Sequence, residues 1–230
     1  MLWNEDREEE RGYQVPDDIV DLTFGVHCKC LPLDHAHALS TALHQALPWL
    51  AGESAAGVHL IHGAESGNGW YRPTDTADAL LYLSRRTRMT LRVPKERIEA
   101  ASELQGRTLD IAGHSLEVVG EPAVKKLSAL STLFARHVVM SEPDMDEAAF
   151  LEQLVAELRD LDIRVKKMLC GRAHDLRMPD GVIHTQSVMI ADLDSEPAVR
   201  LQQKGIGPGR KMGCGLFLPH KGIKPVKETH

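Results

Sequence analysis

Aromatic residues are scarce in this chain: three Trp, three Tyr and four Phe among 230 residues. With no ribonucleoprotein-type aromatic signature present, readout of bases by an aromatic sheet face is not expected. Cysteine is scarce too. Cys28, Cys30, Cys170 and Cys214 are too few and too unevenly spaced for a disulfide framework or a paired CxxC zinc site. Cys28 and Cys30 lie two apart in an expected strand, share a face, and read as packing residues. No apolar run approaches the ~20 residues that span a bilayer. The acidic opening MLWNEDREEERGYQVPDD lacks the basic-then-apolar order of a secretory signal. No membrane is expected as a partner, and the expected location is the cytoplasm. His35-x-His37 is a poor metal signal by itself, and no histidine pair has the HExxH arrangement, so neither metal nor cofactor is expected.

What is present is a globular composition, 43% hydrophobic and 26% charged. At ~100–200 residues per domain the length suits one large domain or two small ones. A net charge of −6 argues against a polyanionic partner until its distribution is considered. Acid gathers in the first 21 residues and in SEPDMDEAAFLEQLVAELRDLD. Residues 200–227 instead carry Arg200, Lys204, Arg210, Lys211, Lys221, Lys224 and Lys227 without one acidic residue. RRTRMTLRVPKER and the stretch from Arg164 to Arg177 are further basic blocks. Local patches, more than net charge, attract a polyanion.

Periodicity orders the elements. IVDLTFGVHCKC alternates as a strand, and Asp34 is placed to cap an amphipathic helix with Leu39, Leu43, Leu47 and Leu50 on one side. GVHLIHG reads as a strand, followed by the glycine-rich loop AESGNGWYRPTD. ADALLYLS and TRMTLRVP read as strands paired around Arg85 and Arg86, PKERIEAASELQ as a helix, and TLDIAGHSLEVVG as a hairpin at Gly113. The second half repeats the order. KLSALSTLFARHVVM is a strand, DMDEAAFLEQLVAELRDL a helix, DIRVKKML and VIHTQSVMIADL strands, SEPAVRLQQKG a helix capped by Ser195, and MGCGLFLP the last strand. Two βαββαβ units predict an α+β chain of tandem ferredoxin-like (RRM-like) domains. The expected division is an acidic leader over 1–18, an N-terminal domain over 19–122, a C-terminal domain over 123–222 and a tail over 223–230.

GIGPGRKMGCGLFLP, residues 205–219, concentrates five glycines around an Arg-Lys pair. Glycines permit the positive φ and close backbone approach of a phosphate-cradling loop. The spacing fits neither GxxxxGK[ST] nor GxGxxG before a helix, so nucleotide-cofactor binding is not indicated. A tight turn with solvated Arg210 and Lys211 is the competing reading.

RLQQKGIGPGRKMGCGLFLP resembles the glycine-rich loop of the CRISPR-associated endoribonucleases that cut repeat RNA. These form the Cas family conventionally numbered six, within the RAMP superfamily. PLDHAHALSTALHQALPWL and GVHLIHG are similar to the first helix and second strand of its myxobacterial-type subgroup. The resemblance runs from about Asp21 to Pro219. It implies metal-independent cutting of pre-crRNA by 2′-OH attack, leaving a 2′,3′-cyclic phosphate and a 5′-OH. It also implies retention on the crRNA hairpin beside other Cas proteins of a Cascade-type complex. A non-catalytic RAMP subunit that binds crRNA would share the same double module.

In-line transfer needs a base near the 2′-OH and cations on the phosphate, and histidine suits proton transfer near neutral pH. The resemblance places His35 as the catalytic histidine, with His37, His44 and His59 as alternatives. His59 and His62 are expected on opposite faces of a strand. Expected RNA contacts are Lys204, Gly205, Gly207, Gly209, Arg210 and Lys211 in the glycine segment. Lys166, Lys167, Arg172 and Arg177, flanking CGRAHDLRMPDG as a loop, are expected to join them. Trp70 and Tyr71 are the aromatic candidates.

Overall fold

A computed structural model of the chain describes residues 13–62 and 79–220. Trp70, Tyr71, Lys221, Lys224 and Lys227 lie outside the described residues. The chain runs β1 (Ile19–His27), β2 (Cys30–Pro32), α1 (Ala36–Ala46), β3 (Gly57–Val58), β4 (Leu80–Tyr82), β5 (Arg88–Pro94), α2 (Ile98–Ser102), β6 (Thr108–Ile111) and β7 (His114–Lys126). It continues with β8 (Leu133–Val139), α3 (Glu147–Asp160), β9 (Lys167–Met178), β10 (Gly181–Ala191), α4 (Ser195–Lys204) and β11 (Leu218–Pro219).

The first sheet has the order β3-β5-β1-β7-β6 and the second β11-β8-β10-β9. All strand pairings in these two sheets are antiparallel among the described residues. Counting strands within each unit, with β6–β7 as one terminal hairpin, both sheets show the 4-1-3-2 neighbour order of a split βαβ fold. Each half is thus a ferredoxin-like unit.

Helix periodicity builds both cores. Leu39 and Leu43 of α1 are fully buried against Leu22, Phe24, Leu91 and Val93. The helix stops earlier than the leucine repeat implies, because Pro48 disfavours a helical Leu47. Leu47 sits at φ −129°, ψ 79°. A 3₁₀ turn over Pro48–Ala51 still delivers Leu50 to the core. In the second unit Phe150, Leu154 and Leu158 of α3 are fully buried with Leu133, Val188, Ile190 and Phe217. Each such side chain contributes about 1.5–3 kcal/mol of burial.

Several local expectations are corrected. Asp34 does not cap α1: the N-cap is His35, with no side-chain cap hydrogen bond. Asp194, rather than Ser195, is the N-cap of α4. Asp146 does cap α3, its carboxylate accepting from Ala149 N at 2.8 Å. β4 does not pair with β5; it pairs with β2 in a separate two-stranded ribbon. CGRAHDLRMPDG is mostly strand β9 rather than a loop, since residues 167–178 find a full antiparallel partner in β10. The last strand shrinks to Leu218–Pro219, because Arg210–Met212 turns as a 3₁₀ segment. β7 keeps pairing with β1 through Lys126, so residue 122 falls inside a strand of the first sheet.

Apolar contacts join the two units. Ile19 and Leu127 pack with Val199 of α4, and Ala36 of α1 packs with Leu176 of β9 and Cys214 of the glycine segment. A buried arginine reinforces the junction. Arg92 of β5, fully buried, holds both carboxylate oxygens of Asp21 at 2.8 and 2.9 Å. The same guanidinium donates to the carbonyls of Gln202, at 2.8 Å, and Phe217, at 3.0 Å. A planar fork suits this divided task.

Candidate functional site

The N-terminus of α1, the glycine segment and β9 converge at that junction. Asp34, just before the helix, accepts the backbone N–H of Arg177 in β9 at 2.8 Å. His35 follows. Its Nδ1 lies 3.0 Å from the carbonyl of Pro32, and Nε2 accepts the N–H of Ile61 at 3.1 Å. The ring is therefore neutral, with its proton on Nδ1, and burial pushes its pKa below the ordinary histidine value. Both ring nitrogens are hydrogen-bonded to backbone groups, so His35 clamps residue 61 to the start of α1.

His59 is buried as well, its Nε2 3.4 Å from Asp21 Oδ1, and burial lowers its pKa. It belongs to the Arg92 network through Asp21. His44, half-buried in the last turn of α1, uses Nδ1 on the carbonyl of Ser40 at 2.7 Å. His37, half-buried in the first turn, has no hydrogen-bond partner among the described residues. That first turn contains no acidic residue, and its N–H groups favour an anion. His62 is exposed and His59 buried, but β3 ends at Val58, so the two do not lie on opposite faces of a strand as expected.

The glycine segment is a compact, self-bonded turn. Gly205, Gly207, Gly209, Gly213 and Gly215 all have positive φ, between 65° and 84°. Gly215 is the most constrained: its N–H donates to the carbonyl of His137 at 2.7 Å, and a Cβ there would overlap the carbonyl of Ile206. At Gly213 a Cβ would lie 2.6 Å from Cγ of Leu60. Arg210 faces inward. Its guanidinium donates to the carbonyls of Lys204, Gln203 and Ala55, the last two at 3.0 and 3.2 Å. Burial, with Arg92 nearby, brings its pKa down to about 10, which still leaves it charged at neutral pH. Lys211 Nζ donates to the carbonyl of Ala51 at 3.1 Å. These two residues stitch the loop to the first unit, while Lys204 at the end of α4 is exposed. Cys214 beneath the loop is an inert thiol, pushed up to about 12 by burial.

On β9, Arg172 and Arg177 are exposed. Lys166 and Lys167 are exposed but paired with Asp194 at 3.2 Å and Asp192 at 2.8 Å. The sequence reading assigned no part to a neighbouring set. Thr185 donates its hydroxyl to the carbonyl of His174 at 2.9 Å and therefore accepts from Nδ1 of His137 at 3.0 Å. The rings of His137 and His174 meet edge to face, 5.2 Å between centroids. His137 thus links the glycine segment to the exposed sheet edge. Only strand register could have revealed it.

These features define a tandem ferredoxin-like protein with a glycine turn and cationic groups at the junction of its units. A model of the family described as Cas6 Crispr matches residues 20–222. The CRISPR-associated endonuclease Cas6 of Myxococcus xanthus (strain DK1622) is 36% identical over 200 residues, covering 87% of this chain and 81% of that protein. Among solved structures, a CRISPR-associated protein Cas6 superposes with TM-score 0.59 at 10% identity, covering 88% of this chain and 99% of the other. A Cas6-related protein from Pyrococcus furiosus gives 0.57 at 15% identity, covering 92% and 100%. The chain belongs to the Cas6 family.

Proposed function

We propose that this protein is a metal-independent endoribonuclease that cuts CRISPR repeat RNA. In a chain of this family, the observation that carries the reading is the position of His37. It stands in the first turn of α1, where that helix meets β9 and the glycine segment, and no protein group in the described residues occupies its ring nitrogens. A neutral imidazole there accepts the proton of a ribose 2′-OH. O2′ then bonds to the adjacent phosphorus, the P–O5′ bond breaks, and O5′ departs with a proton from solvent. The products are a 2′,3′-cyclic phosphate and a 5′-OH end. General base catalysis of this kind contributes about 10²–10⁴-fold.

The phosphate is held by cations and by helix α1. Lys204 and Arg172 are exposed, whereas Arg210 and Lys211 shape the turn that carries half-buried Gly207 and Gly209; Gly205, expected beside them, is buried with its N–H on the carbonyl of Leu201. The rest of the rate comes from holding the RNA in line. After cutting, the enzyme stays on the hairpin as a subunit of a Cascade-type complex.

The test is incubation with the neighbouring CRISPR repeat RNA in excess EDTA, comparing wild type with His37→Ala. Cyclic-phosphate product from wild type, reduced at least 100-fold in the variant, supports the reading. Bound but intact RNA in both would instead identify a non-catalytic crRNA-binding subunit.

A further inference from the structure

The ribbon formed by β2 and β4 has no part in either core sheet, and its outer face is unlike the rest of the surface. Cys30 pairs with Tyr82, Leu31 with Leu81 and Pro32 with Leu80. Leu31 is fully buried, whereas Tyr82 is 68% and Leu80 38% exposed. Tyr82 is the most exposed aromatic side chain among the described residues, in a chain with few aromatics. Alternation along a strand puts Tyr82 and Leu80 on the same outward face.

Cations surround one end of this face. Residues 26–29 and 83–85 line an open groove of about 600 Å³, with exposed Lys29 and Arg85 in its lining. Arg86 and Arg88 are exposed on the same turn, Arg88 folding back onto the carbonyls of Arg85 and Thr87. Among the described residues Glu117 lies 3.8 Å from His27. At the other end the ribbon runs into α1. Leu83 donates to the carbonyl of Lys29 at 3.1 Å, and Leu33 donates to the carbonyl of Ala79 at 2.7 Å, two residues before His35. Those closing bonds flank β2, at Lys29 and Leu33, about 13 Å of extended chain at ~3.3 Å per residue.

We infer that the β2–β4 ribbon is a track for single-stranded RNA leading from the His37 site, with a base stacked on Tyr82 and phosphates held by Lys29 and Arg85. This inference rests on the repeat-RNA reading above and adds a second binding site to it. An exposed aromatic between cations is the arrangement that takes a strand without reading its sequence, since every base has a π-face. Leu80 extends the apolar platform towards α1. Charge complementarity and continuity with the catalytic junction select RNA over a protein segment as the occupant.

The experiment measures affinity by fluorescence anisotropy for the repeat RNA made with 2′-O-methyl riboses, which cannot be cut through the 2′-OH. Tyr82→Ala is expected to weaken binding about tenfold, with Tyr82→Phe and Tyr82→Trp within about twofold of wild type. Lys29→Ala with Arg85→Ala is expected to make the slope of log affinity against log salt shallower by about 1.4, at roughly 0.7 per phosphate on a single strand. Unchanged affinity in Tyr82→Ala, or an equal loss in Tyr82→Phe, overturns the stacking role. An unchanged salt slope overturns the phosphate contacts. If Tyr82→Ala keeps RNA affinity but loses association with another Cas protein, the ribbon is a protein interface and the inference fails. Wild type that binds this RNA with the expected variant effects, yet leaves unmodified repeat RNA uncut, sinks the enzymatic reading and keeps the track. Wild type that does not bind sinks both.

Discussion

Asp34 Oδ2 accepts the backbone N–H of Arg177 at 2.8 Å, fixing the entry to α1 against β9 of the other unit. The contact decides where His37 stands relative to the exposed cations of that strand. Asp34→Ala is expected to lower stability by about 1–2 kcal/mol and slow single-turnover cleavage at least tenfold. Asp34→Asn retains an acceptor oxygen and should keep most of both. Urea unfolding and quenched-flow cleavage measure the two effects.

His35 and His37 separate cleanly by experiment. His35→Ala strands the N–H of Ile61 and the carbonyl of Pro32, and an unsatisfied buried group costs about 1–3 kcal/mol. Thermal melting should therefore show a clear loss for His35→Ala. His37→Ala should melt with wild type and yet fail to cut. An equal melting loss in both variants would remove the distinction.

Acid should destabilise the fold in two stages. His35 has a folded pKa lowered by burial, as has His59, whereas the unfolded value is about 6.5. Between those values the unfolded chain binds more protons. Stability from these groups is complete above about pH 6.5 and is lost as pH falls below it. Asp21 acts lower. Burial opposes its ionisation, but His59 and Arg92 outweigh that and hold the carboxyl well below its ordinary range. Its contribution is complete above about pH 4 and disappears on further acidification. Urea midpoints from pH 8 to 3 would trace both stages, and His35→Gln should flatten the first.

Breaking the Arg92–Asp21 pair from one side leaves a charge buried without its partner. Arg92→Met is expected to cost about 3–5 kcal/mol, measured by chemical denaturation. The double variant Arg92→Met with Asp21→Asn should recover part of that loss.

Gly215→Ala tests the glycine segment with one methyl group. At φ +65° an added Cβ is strained, and it would also overlap the carbonyl of Ile206. The turn should open, with repeat-RNA affinity falling more than tenfold and melting shifting downward. Wild-type affinity would separate the turn from RNA binding.

Much of the double module could be read from pattern. Leu39 and Leu43, or Phe150, Leu154 and Leu158, mark helix faces by spacing alone, and the glycine segment announced its positive φ angles. The ribbon escaped because a three-residue strand such as Leu80–Tyr82 carries too little alternation to reveal its partner. The setting of His35 escaped for a related reason. Its decisive neighbour, Ile61 N, is 26 residues away, and no local signal distinguishes a histidine locked by backbone from one facing solvent. Arg92 is one cation of the basic block RRTRMTLRVPKER, and only contacts with the second unit make its position an interior one. Arg210 is similar: in sequence it is a basic residue among glycines, while in the fold its two terminal guanidinium nitrogens donate to carbonyls.

Arg92 has a bearing on how RNA is received. One guanidinium is shared among β1, α4 and the residue that precedes β11, so separating the halves forfeits its two charge-assisted hydrogen bonds to the second unit. The protein therefore offers its ligand a rigid mould. The conformational entropy surrendered on association comes mainly from the nucleic acid, and repeat RNAs already folded near the bound shape gain the greater advantage.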